Sequence, residues 1–139
     1  SLEHAKTVVQ ACHMADVIIL HVVVPFSVQT MPALGEADDD ALSRIREQNQ
    51  KDAEEYVLKV KDTLKKQGIA TRAVTVVGNP ADEILGYTEK NNVDLIVMST
   101  HGRSGLSRFF FGSVAEKVSR HSRVPVLLIA PEGCRNTTA

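Results

Sequence analysis

The sequence predicts an α/β fold of three layers, a doubly wound, mostly parallel sheet with helices on both faces. Helical apolar spacing alternates with short β-branched runs along the whole chain, in the order α-β-α-β-α-β-α-β. Runs such as "DVIILHVVVP" are nearly continuous in apolar character, the pattern of a strand covered on both faces. The size and composition (139 residues, 43% apolar, 24% charged) suit one globular domain that buries a core without staples.

Each element has its own signal. Ala5, Val8, Val9 and Cys12 have i, i+3, i+4, i+7 spacing, so Leu2 to Met14 is expected to be an amphipathic helix. "DVIILHVVVP" comes next as the first strand. Pro25 to Asp40 is irregular and ends in three aspartates, placed where the positive end of a helix favours them. Ala41 to Gln67 reads as a long charged helix with Ala53, Tyr56, Val57, Val60 and Leu64 as its buried stripe, and Gly68 stops it. "IATRAVTVV" is the second strand. Gly78-Asn79-Pro80 turns the chain, with Pro80 at or near the first helical position. Ala81, Ile84, Leu85 and Thr88 give the next helix its inward face, and Asn91-Asn92 closes it. Val93 to Met98 is a third strand; Val114, Ala115 and Val118 mark a further helix; "VPVLLIAP" is the last strand. Residues 1–131 are expected to form one domain and 132–139 a frayed polar tail. A doubly wound fold normally opens on a strand, whereas this chain opens on a helix.

Between the third strand and the last helix lies "STHGRSGLSRFFFGS", from Ser99 to Ser113. It leaves the carboxyl end of a strand, where open parallel sheets take their ligands. Gly102 and Gly105 permit positive φ and close backbone approach, and Arg103 and Arg108 add positive charge. Gly112-Ser113 opens a helix whose first N–H groups lack internal partners and favour an anion. These parts describe a phosphate cradle. An alternative needs no ligand: Ser113 and Glu116 match the S-x-x-E capping box, and loop glycines often only make turns. The stretch has neither the G-K-[ST] ending of a P-loop nor G-x-G-x-x-G spacing. Of Phe109, Phe110 and Phe111, most are expected in the core and one against a partner or ligand edge.

The stretch "MSTHGRSGLSRFFFGSVAEKVSRHSRVPVLLIAP" resembles the C-terminal signature of the universal stress protein family, which in its nucleotide-binding branch reads G-x2-G-x9-G-[ST]. Gly102, Gly112 and Ser113 match it, and Ser99 stands at the first glycine position. "ILHVVVP", "VVGNPADEIL" and "NNVDLIVMSTHG" resemble the family's second strand, its G-x-P turn with the helix after it, and the approach to the loop. "SLEHAKTV" resembles the segment just past the family's first strand, so the resemblance extends over nearly the whole chain. It implies a Rossmann-like, adenine nucleotide alpha hydrolase-like fold. It also implies a first strand preceding Ser1, ending in an Asp-containing turn against adenine.

The resemblance further implies ATP as ligand, with Mg²⁺ held mainly by phosphate oxygens. Backbone groups near Val22 would meet the base, and Met98 and Ser99 would line the ribose or adenine side. Gly102, Arg103, Gly112, Ser113 and Val114 would hold the phosphates through backbone N–H groups, with the Ser113 hydroxyl adding a bond. No protein metal ligands and no catalytic residues are expected. His101 has no partner at suggestive spacing and is expected to bond backbone. His21 is expected to be a packing residue, Asp38-Asp39-Asp40 a solvated helix start, and Gly78-Asn79-Pro80 a turn.

The expected function is an ATP-binding, nucleotide-dependent stress-response module that is not an enzyme, or at most a weak ATPase. The alternative is a dimeric interaction module of the same family that binds no nucleotide. The resemblance implies a homodimer through the last strand, and "VPVLLIAP" is apolar enough to pair. A response-regulator receiver is set aside, because "TVVG" and "VMST" offer no acceptor Asp. The net charge of −1 gives no basic excess for nucleic acid or an anionic membrane. The longest apolar run, Val17 to Phe26 broken by His21, is too short to span a bilayer, and no signal peptide is visible. Two distant cysteines without CxxC spacing fit reduced thiols and a cytoplasmic location.

Overall fold

The structure is a computed structural model that describes residues 7, 8, 10, 16–25, 39–99 and 112–129. Thr7, Val8 and Gln10 are helical, in line with the expected first helix. The further elements are β1 (Val17–Val23), α1 (Asp39–Lys65), β2 (Thr71–Val77), α2 (Pro80–Lys90), β3 (Ile96–Ser99), α3 (Ser113–His121) and β4 (Val126–Ile129). They fall into two compact units, Ala15–Glu83 and Ile84–Ala139 together with Ser1–Met14.

In the first unit β1 and β2 pair in parallel, Val17 opposite Thr71 and Val23 opposite Val77, and α1 packs on both. Parallel neighbours need a long crossover, and the 27 residues of α1 supply it. Leu42, Ala53, Val57 and Leu64 form its buried stripe, while i,i+4 ion pairs such as Asp40–Arg44 at 3.0 Å and Glu55–Lys59 at 2.6 Å run along its exposed side. Gly68 takes φ 78 after the last turn. Its N–H donates to the Lys65 carbonyl at 3.0 Å, and the Ile69 N–H donates to the Leu64 carbonyl at 3.2 Å. This is a Schellman ending, and its apolar pair, Leu64 and Ile69, is buried.

In the second unit β3 and β4 pair in parallel, Ile96 opposite Val126 and Ser99 opposite Ile129, and α3 packs on β4. Ala115, Val118 and Ile129 are buried there, as is Thr88 of α2, whose hydroxyl donates to the Ile84 carbonyl at 2.7 Å. Asn92 takes φ 49 just past α2 while the Val93 N–H reaches the Thr88 carbonyl at 3.3 Å, so Asn91-Asn92 closes this helix as expected.

Parallel pairing and alternating helices are those of the expected α/β class. Three details differ from the sequence reading. β1, expected to be covered on both faces, is half-buried along its whole length. Among the described residues its sheet has two strands, so each strand is an edge and neither is a centre. Of the residues expected in the buried stripe, Val60 is half-buried and Tyr56 is 60% exposed. It lies on the flank of the stripe with its ring edge toward His21, centroids 6.1 Å apart, which gives His21 the packing role expected for it. The third strand begins at Ile96, three residues later than expected, because Val93 belongs to the closure of α2.

Candidate functional site

The expected cradle rests on the start of α3. Gly112 is its N-cap, with φ 73 and ψ 141, and its carbonyl accepts the first helical bond from the Glu116 N–H at 2.9 Å. Among the described residues no side chain caps this end. The capping box of Ser113 and Glu116, the alternative to a ligand, is not formed. Ser113 is one position too late to cap, and Glu116 turns forward to Arg120 at 2.8 Å. The N–H groups of the first turn are left without helical acceptors beside exposed Gly112 and Ser113 and half-buried Val114. A backbone conformation that favours glycine, leading into uncapped N–H groups at the positive end of a helix, fits an anionic group such as phosphate.

The other expected contacts divide between the two units. Met98 and Ser99 end β3 in the same unit as α3. The Ile96 N–H donates to the Pro125 carbonyl at 3.0 Å, and the alternation of a parallel ladder then commits the backbone of Met98 to β4 as well. Met98 can meet a ligand through its side chain only. Val22 belongs to the other unit. There the Val17 N–H donates to the Ala70 carbonyl and the Gly78 N–H to the Val23 carbonyl, both at 3.0 Å. The odd-numbered residues of β1 thus face β2, and the N–H and C=O of Val22 point to the opposite edge, as a backbone contact to a base requires. Gly102 and Arg103, with His101, Gly105, Arg108 and the three phenylalanines, lie outside the described residues.

Gly78-Asn79-Pro80 is a helix cap, matching the turn expected there: Asn79 Oδ1 accepts from the Asp82 N–H at 3.5 Å, and the Glu83 N–H donates to the Asn79 carbonyl at 2.9 Å. Gly78 has a second use that sequence reasoning missed. A Cβ placed on it would lie 2.5 Å from Glu83 Oε1, so the bare glycine admits the Glu83 carboxyl group against the strand end. A contact between a turn glycine and a residue five positions on has no periodic signature. "VVGNPADEIL" holds both residues without revealing it.

An open groove of about 360 Å³ lies at the other end of the second unit's strands, lined by Glu89, Asn92, Asp94, His121 and Arg123 among others. It sits at the amino ends of β3 and β4, away from the start of α3, and several of its polar groups are already partnered. His121 Nδ1 meets the Lys117 carbonyl at 2.8 Å, and Arg123 pairs with Glu89 at 3.5 Å. Among the described residues no three His, Cys, Asp or Glu side chains gather to hold a metal, and no helix is long and apolar enough to cross a membrane.

The chain is similar to known proteins in sequence and in fold. Residues 1–130 match the Universal stress protein family. The chain is 34% identical over 129 residues to universal stress protein MJ0531 of Methanocaldococcus jannaschii, a match that covers 93% of this chain and 74% of that one. The solved structure of MJ0577 from the same organism superposes with a TM-score of 0.74 at 27% identity, covering 94% of this chain and 88% of the other. A universal stress protein family member of Arabidopsis thaliana, solved with AMP bound, shares the fold at a TM-score of 0.64 and 19% identity, over 93% and 74% of the two chains. With its parallel strand pairs, its glycine-led helix and a match that runs from the first residue to the end of the last strand, this chain belongs to the universal stress protein family.

Proposed function

We propose that this chain is a nucleotide-binding regulatory module of the stress response that takes the phosphates of ATP on the start of α3. The observation that carries this is the exposed first turn of α3, opened by Gly112 at φ 73 and, among the described residues, left without a side-chain cap. Gly112, Ser113 and Val114 hold phosphate oxygens through backbone N–H groups, and the exposed Ser113 hydroxyl adds a donor. Gly102 and Arg103 are assigned to the same phosphates on the resemblance. Val22 meets the base through its outward backbone groups, and Met98 and Ser99 line the ribose or adenine side. A Mg²⁺ ion bound with ATP would be held mainly by the phosphate oxygens. The AMP held by the Arabidopsis relative supports an adenine nucleotide. The chain acts in the cytoplasm, as a homodimer through β4, by changing its surface when nucleotide binds. It is not an efficient enzyme.

Ser113→Glu tests this better than a substitution at Gly112, whose positive φ would add backbone strain to any loss of binding. A carboxylate at the first helical position suits the helix and repels phosphate. Calorimetric titration with ATP and Mg²⁺ should show binding in the micromolar range, on the order of −8 kcal/mol. Ser113→Glu should abolish it while circular dichroism and the thermal midpoint stay unchanged. Phosphate release in the same samples should stay below about one turnover per second, the low end of ordinary enzymes. Unchanged affinity in Ser113→Glu would remove the phosphates from α3. A wild-type chain that binds neither ATP nor AMP would leave the dimeric interaction module as its function.

A further inference from the structure

We infer that Glu116 is a built-in gate on the phosphate site at the start of α3, and that Arg120 holds the gate open. This rests on the nucleotide reading above, and the residues concerned all lie in one compact unit. Ser113 and Glu116 keep the S-x-x-E spacing, yet Ser113 does not cap α3. In a capping box the glutamate reaches back to the backbone N–H three residues earlier. Three residues before Glu116 that donor is the N–H of Ser113, one of the groups assigned to phosphate.

Glu116 is the acidic residue of the first turn of α3. Side chains on a helix lean toward its N-terminus, so an unpartnered carboxylate there is drawn to the uncapped N–H groups and the positive helix end. In the structure it turns the other way. Glu116 Oε1 meets Arg120 Nη2 at 2.8 Å, one turn further on. The Glu116 side chain is 50% exposed and that of Arg120 70%, so packing locks neither in place. An exposed i,i+4 ion pair is a weak tie, and the carboxylate can exchange between Arg120 and the Ser113 N–H.

The two positions have opposite consequences for an anion. On the Ser113 N–H, the carboxylate takes a donor that phosphate needs and sets a negative charge beside it. On Arg120, the donor stays available and the guanidinium offsets the carboxylate charge. Nucleotide phosphates and Glu116 therefore compete for one backbone group, and each phosphate that binds turns the carboxylate over to Arg120. Arg120 is a positioning residue in this scheme: it acts on the ligand through Glu116.

Calorimetry on the full chain at low ionic strength, with ATP and with inorganic tripolyphosphate, tests this. Arg120→Ala should weaken both ligands roughly two- to fivefold, the scale of one charge at a helix end. Arg120→Lys keeps the ion pair and should stay near wild type. Adding Glu116→Asp to Arg120→Ala keeps the carboxylate charge but shortens its reach by a methylene, and should restore most of the lost affinity. The Ser113 amide gives a second readout by nuclear magnetic resonance of the ligand-free chain. Its proton should move downfield in Arg120→Ala, where it bonds the carboxylate, and return in the double variant. Circular dichroism and thermal midpoints show that each variant is folded. Unchanged affinity in Arg120→Ala overturns the gate and leaves the phosphate site standing. So does a loss that Glu116→Asp fails to restore, which would be an effect of charge alone, or a Ser113 amide that does not move. A wild-type chain that binds neither ligand overturns the nucleotide reading and the gate with it.

Discussion

Gly112 is the residue on which the start of α3 turns. At φ 73 and ψ 141 a Cβ crowds its own backbone, so Gly112→Ala should cost about 1–3 kcal/mol. The loss would be read as a lower thermal midpoint, and Ser113→Ala one position on should stay within about 0.5 kcal/mol of wild type. Equal effects at the two positions would show that the conformation of Gly112 is not what shapes this turn. The Gly-Ser pair was legible in the sequence, but the division of labour within it was not. S-x-x-E spacing fits a cap at Ser113 as well as a helix already begun there, and only the backbone shows that Gly112 took the cap and Glu116 went to Arg120. Met98 shows the same limit. Its place near the site comes from the motif, whereas the commitment of its backbone to β4 depends on ladder parity, which no residue type encodes.

At the scale of elements, punctuation was read more securely than burial. Gly68, Pro80 and Asn91-Asn92 stop and start helices where expected because each acts through its own backbone conformation. Gly68 has nothing within 4 Å of a built Cβ, so Gly68→Ala should cost about 1 kcal/mol through φ alone. Denaturant unfolding would measure this, and a cost near zero would mean that the α1 ending can relax out of its left-handed turn. Burial depends on partners. The period of α1 correctly picks out Ala53, Val57 and Leu64, yet includes Tyr56, because a stripe wide enough for a helix face also contains its flank. The apolar run of β1 reads as fully covered, yet every residue of the strand is half-buried, because coverage is set by what packs on its two faces and not by its own apolar character.

For the molecule as a whole, the last strand sets the expected assembly. β4 pairs with β3, and Leu127 on it is 36% exposed. An apolar edge of this kind either finds a partner or invites aggregation. Leu127→Asp should convert a dimer to a folded monomer in sedimentation velocity, with circular dichroism unchanged. A variant that stays dimeric would move the interface away from β4.

The parallel pairing described for both sheets also bears on how the chain reaches its native state. Val17 must find Thr71, and Ile96 must find Val126, so the first pair closes a loop nearly twice as long as the second. Loop closure costs roughly 0.6 kcal/mol more for each doubling of length. No hairpin is present in either pair to nucleate it, and each strand must wait for the helix between it and its neighbour to compact. Refolding should therefore be slow for a chain of this size, in the range of milliseconds to seconds. The entropy of closure favours the β3–β4 pair as the earlier to form, while the long crossover through α1 delays β1 and β2. Until they meet, the apolar run of β1 stays open to the solvent, and to other chains.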